Sequence, residues 1–416
     1  MVERTSDRPL AGVRVLDLTV ALSGPYATLI LAALGAEVIK IESPGGSDIA
    51  RFNPPFAAPD GRMHLDALGD GDVSLSILAR NRGKKSVELD LKHDRGRAIF
   101  LDLVRTADVV FENLSDGVVE RLGVDYATLR EVNPALVYCS LSGLGRPSAR
   151  PGTKAMDIIV QAVAGVMDTT GFADGPPLRF GLPIADLLAP LHAVIGVQAA
   201  LAQRERTGKG QHVRVSMLDS LASLLPFEHL DVLQRSGFAP RSGNSHARLA
   251  PFGVYRTADG YVSIAAANDA WVASLFEVIG RPELVDDPRF VGRGPRAAHA
   301  GELDALIEEW TAVHPTDHVV AELAEARGVP CAPVRSALDV LGDEVLAERG
   351  TIAPLHDLCD RPLDAVAGGV PITMSGADVS VDAPAAALGA DTDSVLTDLA
   401  GVRVEELAVL REHQII

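Results

Sequence analysis

The chain has 416 residues, 47 % apolar and 23 % charged, a globular composition too long for one ordinary core, so two or three domains are expected. Lys and Arg number 38 against 56 Asp and Glu, a formal charge of −18 that makes nucleic acid and anionic membranes poor partners. Aromatic residues make up only 4 %, so aliphatic side chains and alanine must fill the core.

The first third alternates strands and helices. Gly12 to Leu18 reads as a buried strand, and Gly24-Pro25 opens a helix to about Leu34, stopped by Gly35. Val38 to Ile41 is the next strand. A helix from Asp94 to about Arg105 and a strand at Val109 to Phe111 follow. A short helix from Leu129 to Asn133 leads to a strand at Leu136 to Cys139. This alternation predicts a Rossmann-like α/β domain, doubly wound around a parallel sheet. Asp157 to Met167 is apolar and alanine-rich. A long helix is expected from Asp186 to about Arg206, a strand from His212 to Val215, and a mostly helical stretch from Ser216 to about Leu233, broken near Pro226. Polar residues 235–248 mark a loop or boundary. Beyond them Val254-Tyr255 and Tyr261 to Ile264 form a hairpin-like start, with helices near Trp271–Ile279, Ala300–Val313 and Asp317–Arg327. The expected layout is a large α/β domain over residues 1–230, a linker and small α+β domain over 231–340, and a return to the large domain over 341–416, ending in two short helices.

Several residues offer chemistry, each beside a plainer reading. The first strand–helix turn, Val20 to Pro25, stands where a dinucleotide fingerprint would stand, and Glu42 follows at the distance of a ribose-binding acid. The turn holds one glycine, so hydride chemistry is disfavoured and Glu42 reads as a charged strand end. The basic run Arg80 to Lys85, with Lys92 beyond it, is either a solvated loop or a phosphate grip. His314 and His318 share helical spacing, but Pro315 interrupts them and no metal site is expected. Cys139, Cys331 and Cys359 are odd in number and widely spaced, so no disulfide framework is expected. The N-terminal residues show no signal-peptide pattern and no apolar run has transmembrane length, so no membrane association is expected and a cytoplasmic location is. Asp186 opens its helix. It is either an N-cap or a nucleophile whose charge the helix start favours.

These residues also carry a resemblance. Leu16-Asp17-Leu18-Thr19, Gly24-Pro25 and Leu34 to Glu42 form one block; Asn81 to Asp90 and Ala107 to Asn113 form two more. Asp157 to Gly171, Asp174 to Pro177, Asp186, Arg206 to Gln211 and Leu388 to Thr392 continue the order. Together they resemble the family III CoA-transferases (formyl-CoA transferase-like, CaiB/BaiF). The resemblance implies that Asp186 attacks an acyl-CoA thioester, giving a mixed anhydride and then an aspartyl-CoA thioester that passes CoA to a carboxylic acid. It implies CoA contacts at Ala21, Leu22, Ser43, Leu89, Asp90, Leu91, Lys92, Asn113, Leu114, Ser115, Arg121, Lys154, Ala155, Met156 and Asp157. Ser43 stands where a relative has arginine, and Leu22 replaces a glutamine. Gly243 to His246 holds fewer glycines than the loop that covers relatives' active sites.

The resemblance further implies no tightly bound cofactor, with coenzyme A as part of the substrate, a small carboxylic acid, expected to be a C4–C5 dicarboxylate, and an interlocked, ring-shaped homodimer. Two alternatives stay open: an α-methylacyl-CoA racemase-like proton-transfer enzyme and a non-catalytic CoA-binding protein. Related racemases carry Gly-His-Asp where this chain has Ala155-Met156-Asp157, and methionine cannot move a proton.

Overall fold

The structure, a computed structural model, describes residues 8–148, 153–246, 248–381 and 383–416. The chain divides into two units, one of Met1–Ala164, Gly181–Leu224 and Asp343–Ile416, the other of Gly165–Phe180 and Leu225–Gly342.

In the first unit, six strands form one sheet: β1 (Arg14–Asp17), β2 (Glu37–Glu42), β3 (Lys85–Glu88), β4 (Val109–Glu112), β5 (Val137–Ser142) and β6 (His212–Ser216). Their order is β3-β2-β1-β4-β5-β6 and every neighbouring pair is parallel. Parallel strands are covered on both faces, which is why Val15-Leu16, Val38-Ile39 and Val109 to Phe111 read as unbroken apolar runs and are buried. Helices α1 (Ser23–Ala33), α2 (Leu75–Arg80), α3 (Asp94–Arg105), α4 (Val118–Leu122) and α5 (Tyr126–Val132) link the first strands. Then come α6 (Asp157–Val163), α7 (Ile184–Thr207) and, after β6, α8 (Met217–Ala222). The strand order reverses between β1 and β4. In open α/β sheets that reversal opens a crevice at the carboxyl ends of the strands. The loops at 18–22, 43–48, 89–93 and 113–117, and the segment that starts at 143, all leave from that edge.

Helix α7 is long and apolar enough to cross a membrane by length and composition alone. Here it packs against α1, α6, α8, β5 and β6, as a core helix does. Residues 43–74, on which the sequence was silent, hold three short antiparallel strands, Phe56–Ala57, Met63–His64 and Val73–Ser74, that deliver the chain to α2. The helical stretch expected over 216–233 is three pieces, Met217–Ala222, Leu225–Glu228 and Leu230–Arg235, because Pro226 cannot donate within a continuous helix.

The second unit carries an antiparallel sheet of Ser245–His246, Leu249–Arg256, Tyr261–Ala265 and Cys331–Pro333 over its own apolar cluster around Val262, Ile264, Phe276 and Leu303. Residues 165–180 belong to it rather than to the large domain in which the sequence placed them. Arg241 explains this: it pairs with the Asp168 carboxylate at 2.6 Å and donates to the Phe172 and Gly175 carbonyls, both at 3.3 Å. Gly243 also donates its N–H to the Gly171 carbonyl at 2.9 Å.

Candidate active site at the carboxyl edge of the sheet

The turn after β1 lies beside the switch point and is held from several sides. The Asn113 side chain, on the loop after β4, accepts from the Val20 N–H at 2.8 Å and donates to the Val20 carbonyl at 2.9 Å. Asp48 accepts the Ala21 N–H at 2.8 Å, and Arg80 donates to the Ala21 carbonyl at 2.9 Å. Ala21 is thereby kept at φ +66°, a left-handed conformation that costs an L-residue about 1 kcal/mol or more. Gly24 follows because a Cβ there would lie 2.3 Å from that of Thr19 and 3.0 Å from Asn113 Cγ.

Beneath this turn lies a buried ionic cluster. Lys84 donates to Asp17 at 3.1 Å and to Thr28 at 2.7 Å; Lys40 donates to Asp48 at 2.9 Å and to the Thr19 carbonyl at 2.7 Å. Burial works to raise the Asp17 carboxyl, but Lys84, Lys40 and two threonine hydroxyls hold it below the usual carboxylate range. Burial pulls Lys84 down to about 8, against the pull of Asp17.

This network corrects two sequence readings. Glu42 is neither a ribose ligand nor a bare strand end: it is buried, ion-paired to Arg51, and accepts the Asp48 N–H at 3.1 Å. The run from Arg80 to Lys85 is neither a solvated loop nor, taken together, a phosphate grip. Arg82 is buried and donates to the Ala79 and Gly368 carbonyls, Lys84 serves Asp17, and Lys85 pairs with Glu37 at 2.6 Å.

Asp186 is not the N-cap of its helix. The helix begins at Ile184 after Pro183, and Asp186 is its third residue. The capping carboxylate comes from α6: Asp157 accepts the Ala185 N–H at 2.8 Å and the Asp186 N–H at 3.4 Å, while Gln161 donates to its other oxygen at 2.7 Å. The Asp186 carboxylate is left for other work. Ser23, the first residue of α1, and Arg80, the last of α2, act on its charge. Desolvation raises its pKa to about 6; the Asp157 charge adds to the rise, and Ser23 and the Arg80 cation oppose it. Pro190, one turn on, has no N–H to give to the Asp186 carbonyl. A half-buried carboxylate at a helix start, ionised at neutral pH yet more basic than usual, has the chemistry of a nucleophile.

The other sequence candidates fall into groups. Ser43, Asp90 and Lys92 line one groove of about 470 Å³, together with Arg411 and Gln414 from the C-terminal segment, which sequence reasoning missed because they lie far along the chain. The side chains of Leu89 and Leu91 are buried in the core, so a ligand could meet only their backbone. Leu114 is fixed at both ends, its N–H on Glu112 at 2.9 Å and its carbonyl on Arg146 at 2.5 Å, while Ser115 and Arg121 are exposed beside it. Leu22 lies in the first turn. Lys154, Ala155 and Met156 are exposed just before α6, Met156 at 69 %. Gly243 to His246 lies in the second unit, where Ser245–His246 pairs with the strand Leu249–Arg256. His192 bonds Ser220 at 3.0 Å. Ser23 and Asp48 were missed as site residues, since nothing in their local sequence marks them, and Arg80 was marked only as part of the basic run.

The chain is similar to known proteins over most of its length. A family model described as CoA-transferase family III matches residues 10–392. A succinyl-CoA:mesaconate CoA-transferase of Haloarcula hispanica is 43 % identical over 347 residues, 82 % of this chain and 84 % of that protein. An acetyl-CoA:oxalate CoA-transferase of Acetobacter aceti is 40 % identical over 385 residues, 91 % of this chain and 92 % of that one. Among solved structures, a CAIB/BAIF family protein from Brucella suis superposes with a TM-score of 0.80 at 35 % identity, covering 95 % of this chain and all of that one.

Proposed function

Since the chain belongs to CoA-transferase family III, we propose that it moves coenzyme A from an acyl-CoA to a carboxylic acid, with Asp186 as the nucleophile. The observation that carries this reading is that Asp157 takes the helix-start N–H groups beside Asp186 and leaves its half-buried carboxylate free of capping.

In this reading an Asp186 oxygen attacks the thioester carbonyl carbon, the C–S bond breaks, and the sulfur leaves as CoA thiolate with the electron pair. A mixed anhydride remains. The thiolate then attacks the Asp186 carbonyl carbon, the anhydride C–O bond breaks, and the first acid leaves as a carboxylate. The resulting aspartyl-CoA thioester reacts with the incoming carboxylate by the same steps in reverse. No net proton moves, and one difficult transfer becomes several easier ones. The positive end of the α7 dipole favours the negative charge that develops beside Asp186.

CoA would lie along the carboxyl edge, over Ala21-Leu22, the Asn113–Ser115 loop with Arg121, and Lys154 to Asp157. Its charged end would occupy the groove of Ser43, Asp90 and Lys92. Coenzyme A enters as part of the substrate, with no tightly bound cofactor. Mesaconate and oxalate, the acids in the names of the two relatives, are both dicarboxylic, which supports a small dicarboxylic acid as the second substrate. A homodimer belongs to the same reading, supported by exposed apolar side chains on α7 such as Leu191 and, at 64 %, Ile195. The unpaired Cys139, Cys331 and Cys359 suit a reducing cytoplasm.

The racemase alternative needs an acid/base group at 155 or 156, and neither Ala155 nor Met156 provides one. A mere CoA-binding protein has no use for a raised, uncapped carboxylate. The test is to incubate the protein with a panel of acyl-CoAs and look by mass spectrometry for CoA attached to the peptide containing Asp186. The expected result is an adduct that Asp186→Ala abolishes along with transfer. No adduct, with transfer persisting in Asp186→Ala, would overturn the mechanism.

A further inference from the structure

Glu112 is the last residue of β4, and its side chain is fully enclosed. A carboxylate so buried needs a partner of opposite charge and hydrogen bonds to its oxygens. Arg146, on the turn after β5, supplies them: its two terminal nitrogens donate to the two Glu112 oxygens at 2.7 and 3.3 Å. That pairing alone would satisfy the charge, but Arg146 does more. One of those nitrogens also donates to the Leu114 carbonyl at 2.5 Å, and Nε donates to the Asp116 carboxylate at 3.2 Å. Leu114 closes the ring by giving its N–H to Glu112 at 2.9 Å. The loop after β4 is thereby held at 114 and 116 by one planar fork, whose nitrogens cannot shift independently. The turn that carries Arg146 also touches the next wall of the site. A Cβ at Gly143 would lie 2.0 Å from that of Ala155, so glycine lets this turn press against the residue two places before Asp157, the cap of α7.

From this we infer that Arg146 is a positioning residue for coenzyme A: it fastens the loop at 113–116 to the turn at 143–148 in the arrangement that receives the ligand. It acts through the loop. A loop ordered before the ligand arrives leaves less ordering to be done on binding, which strengthens affinity without a new contact. The bonds to Leu114 and Asp116 are the ones that do this, since burying Glu112 does not require them. The inference rests on the reading that CoA lies over Asn113–Ser115 and adds the side chain that shapes that contact.

The experiment titrates free CoA calorimetrically into the wild type, Arg146→Met, Arg146→Lys and the double variant Arg146→Met/Glu112→Gln, and melts each protein. Arg146→Met alone strands a buried carboxylate and should melt well below the wild type. Adding Glu112→Gln removes that charge, keeps an oxygen for the Leu114 N–H, and should recover most of the melting temperature. Arg146→Lys keeps the charge but is a point donor that cannot span Glu112, Leu114 and Asp116 together. The double variant and the lysine variant should therefore fold and yet bind CoA roughly 10-fold more weakly, the scale of ordering one or two side chains on binding. A merely structural Arg146 would give an affinity that returns with the melting temperature. Wild-type affinity in either folded variant would overturn the inference and leave Asp186 in its role. A wild type that binds no CoA would remove the reading of the loop as well.

Discussion

Asp186 stands at the start of a helix, and a carboxylate at such a place has two employments. As a cap it bonds N–H groups and its pKa falls; as a nucleophile it must keep its lone pairs and some basicity. The structure takes the capping role away from Asp186, because Asp157 receives the N–H groups. The sequence could not make that separation, because the capping residue lies on another helix and only the fold brings it near. What made Asp186 legible was its place in an ordered series of family blocks. The raised pKa has a sign that can be checked. A carboxyl raised from 3.8 to about 6 holds its proton more tightly folded than unfolded, so stability falls as pH rises between those values. Replacing Asp186 with Asn should therefore stabilise the protein at pH 7 by about 1–2 kcal/mol, discounted for partial exposure, while abolishing transfer. The gain should vanish below about pH 4, where both residues are neutral. Denaturant melts of both proteins at pH 4 and 7 would show it; an equal difference at the two pH values would refute the assignment.

At the scale of elements, five of the six parallel strands were readable because burial on both faces demands apolar runs, while β3, whose Lys85 and Glu88 break such a run, was read only as part of a basic stretch and a family block. Residues 43–74 were not, since strands of two residues are too short for any period to show. The junction of α6 and α7 belongs to the same unreadable class, for it is made by one side chain reaching between elements. Its two parts can be dissected. Asp157→Asn keeps an oxygen for the Ala185 N–H but removes the charge that helps raise Asp186. The acid limb of the pH–rate profile should then move to lower pH, with stability little changed. Asp157→Ala removes the cap as well and should cost about 1 kcal/mol in addition. A limb unmoved in Asp157→Asn would mean that burial alone sets the Asp186 pKa.

Over the whole molecule, the decisive long-range feature is the return of the C-terminal segment to the sheet. Strand β3 is an edge, and an open edge invites pairing with another chain. The segment answers it. Asp391 accepts the Ser86 N–H at 2.8 Å, Thr392 accepts the Glu88 N–H at 3.0 Å, and the Ile415 carbonyl accepts the Asp90 N–H at 2.8 Å. Behind these bonds Leu396, Leu407, Leu410 and Ile415 pack with Val87, Leu89 and Phe100 in the core beneath β3. The same return carries Arg411 and Gln414 to the groove of Ser43, Asp90 and Lys92, so the edge cover and the candidate CoA groove are one construction. Ile415→Ala should thus do two things. It should cost about 2–4 kcal/mol by leaving a cavity at a nearly solvent-free site. It should also loosen Asp90 and Lys92, weakening CoA binding before the fold is lost. Hydrogen exchange resolved by peptide is the suitable measurement. Protection should fall at residues 85–92 and 404–416, while the hairpin at 249–265, whose side chains belong to a separate apolar cluster, keeps its own. Faster exchange across both units alike would show that the C-terminal return stabilises the molecule globally rather than through the edge it covers.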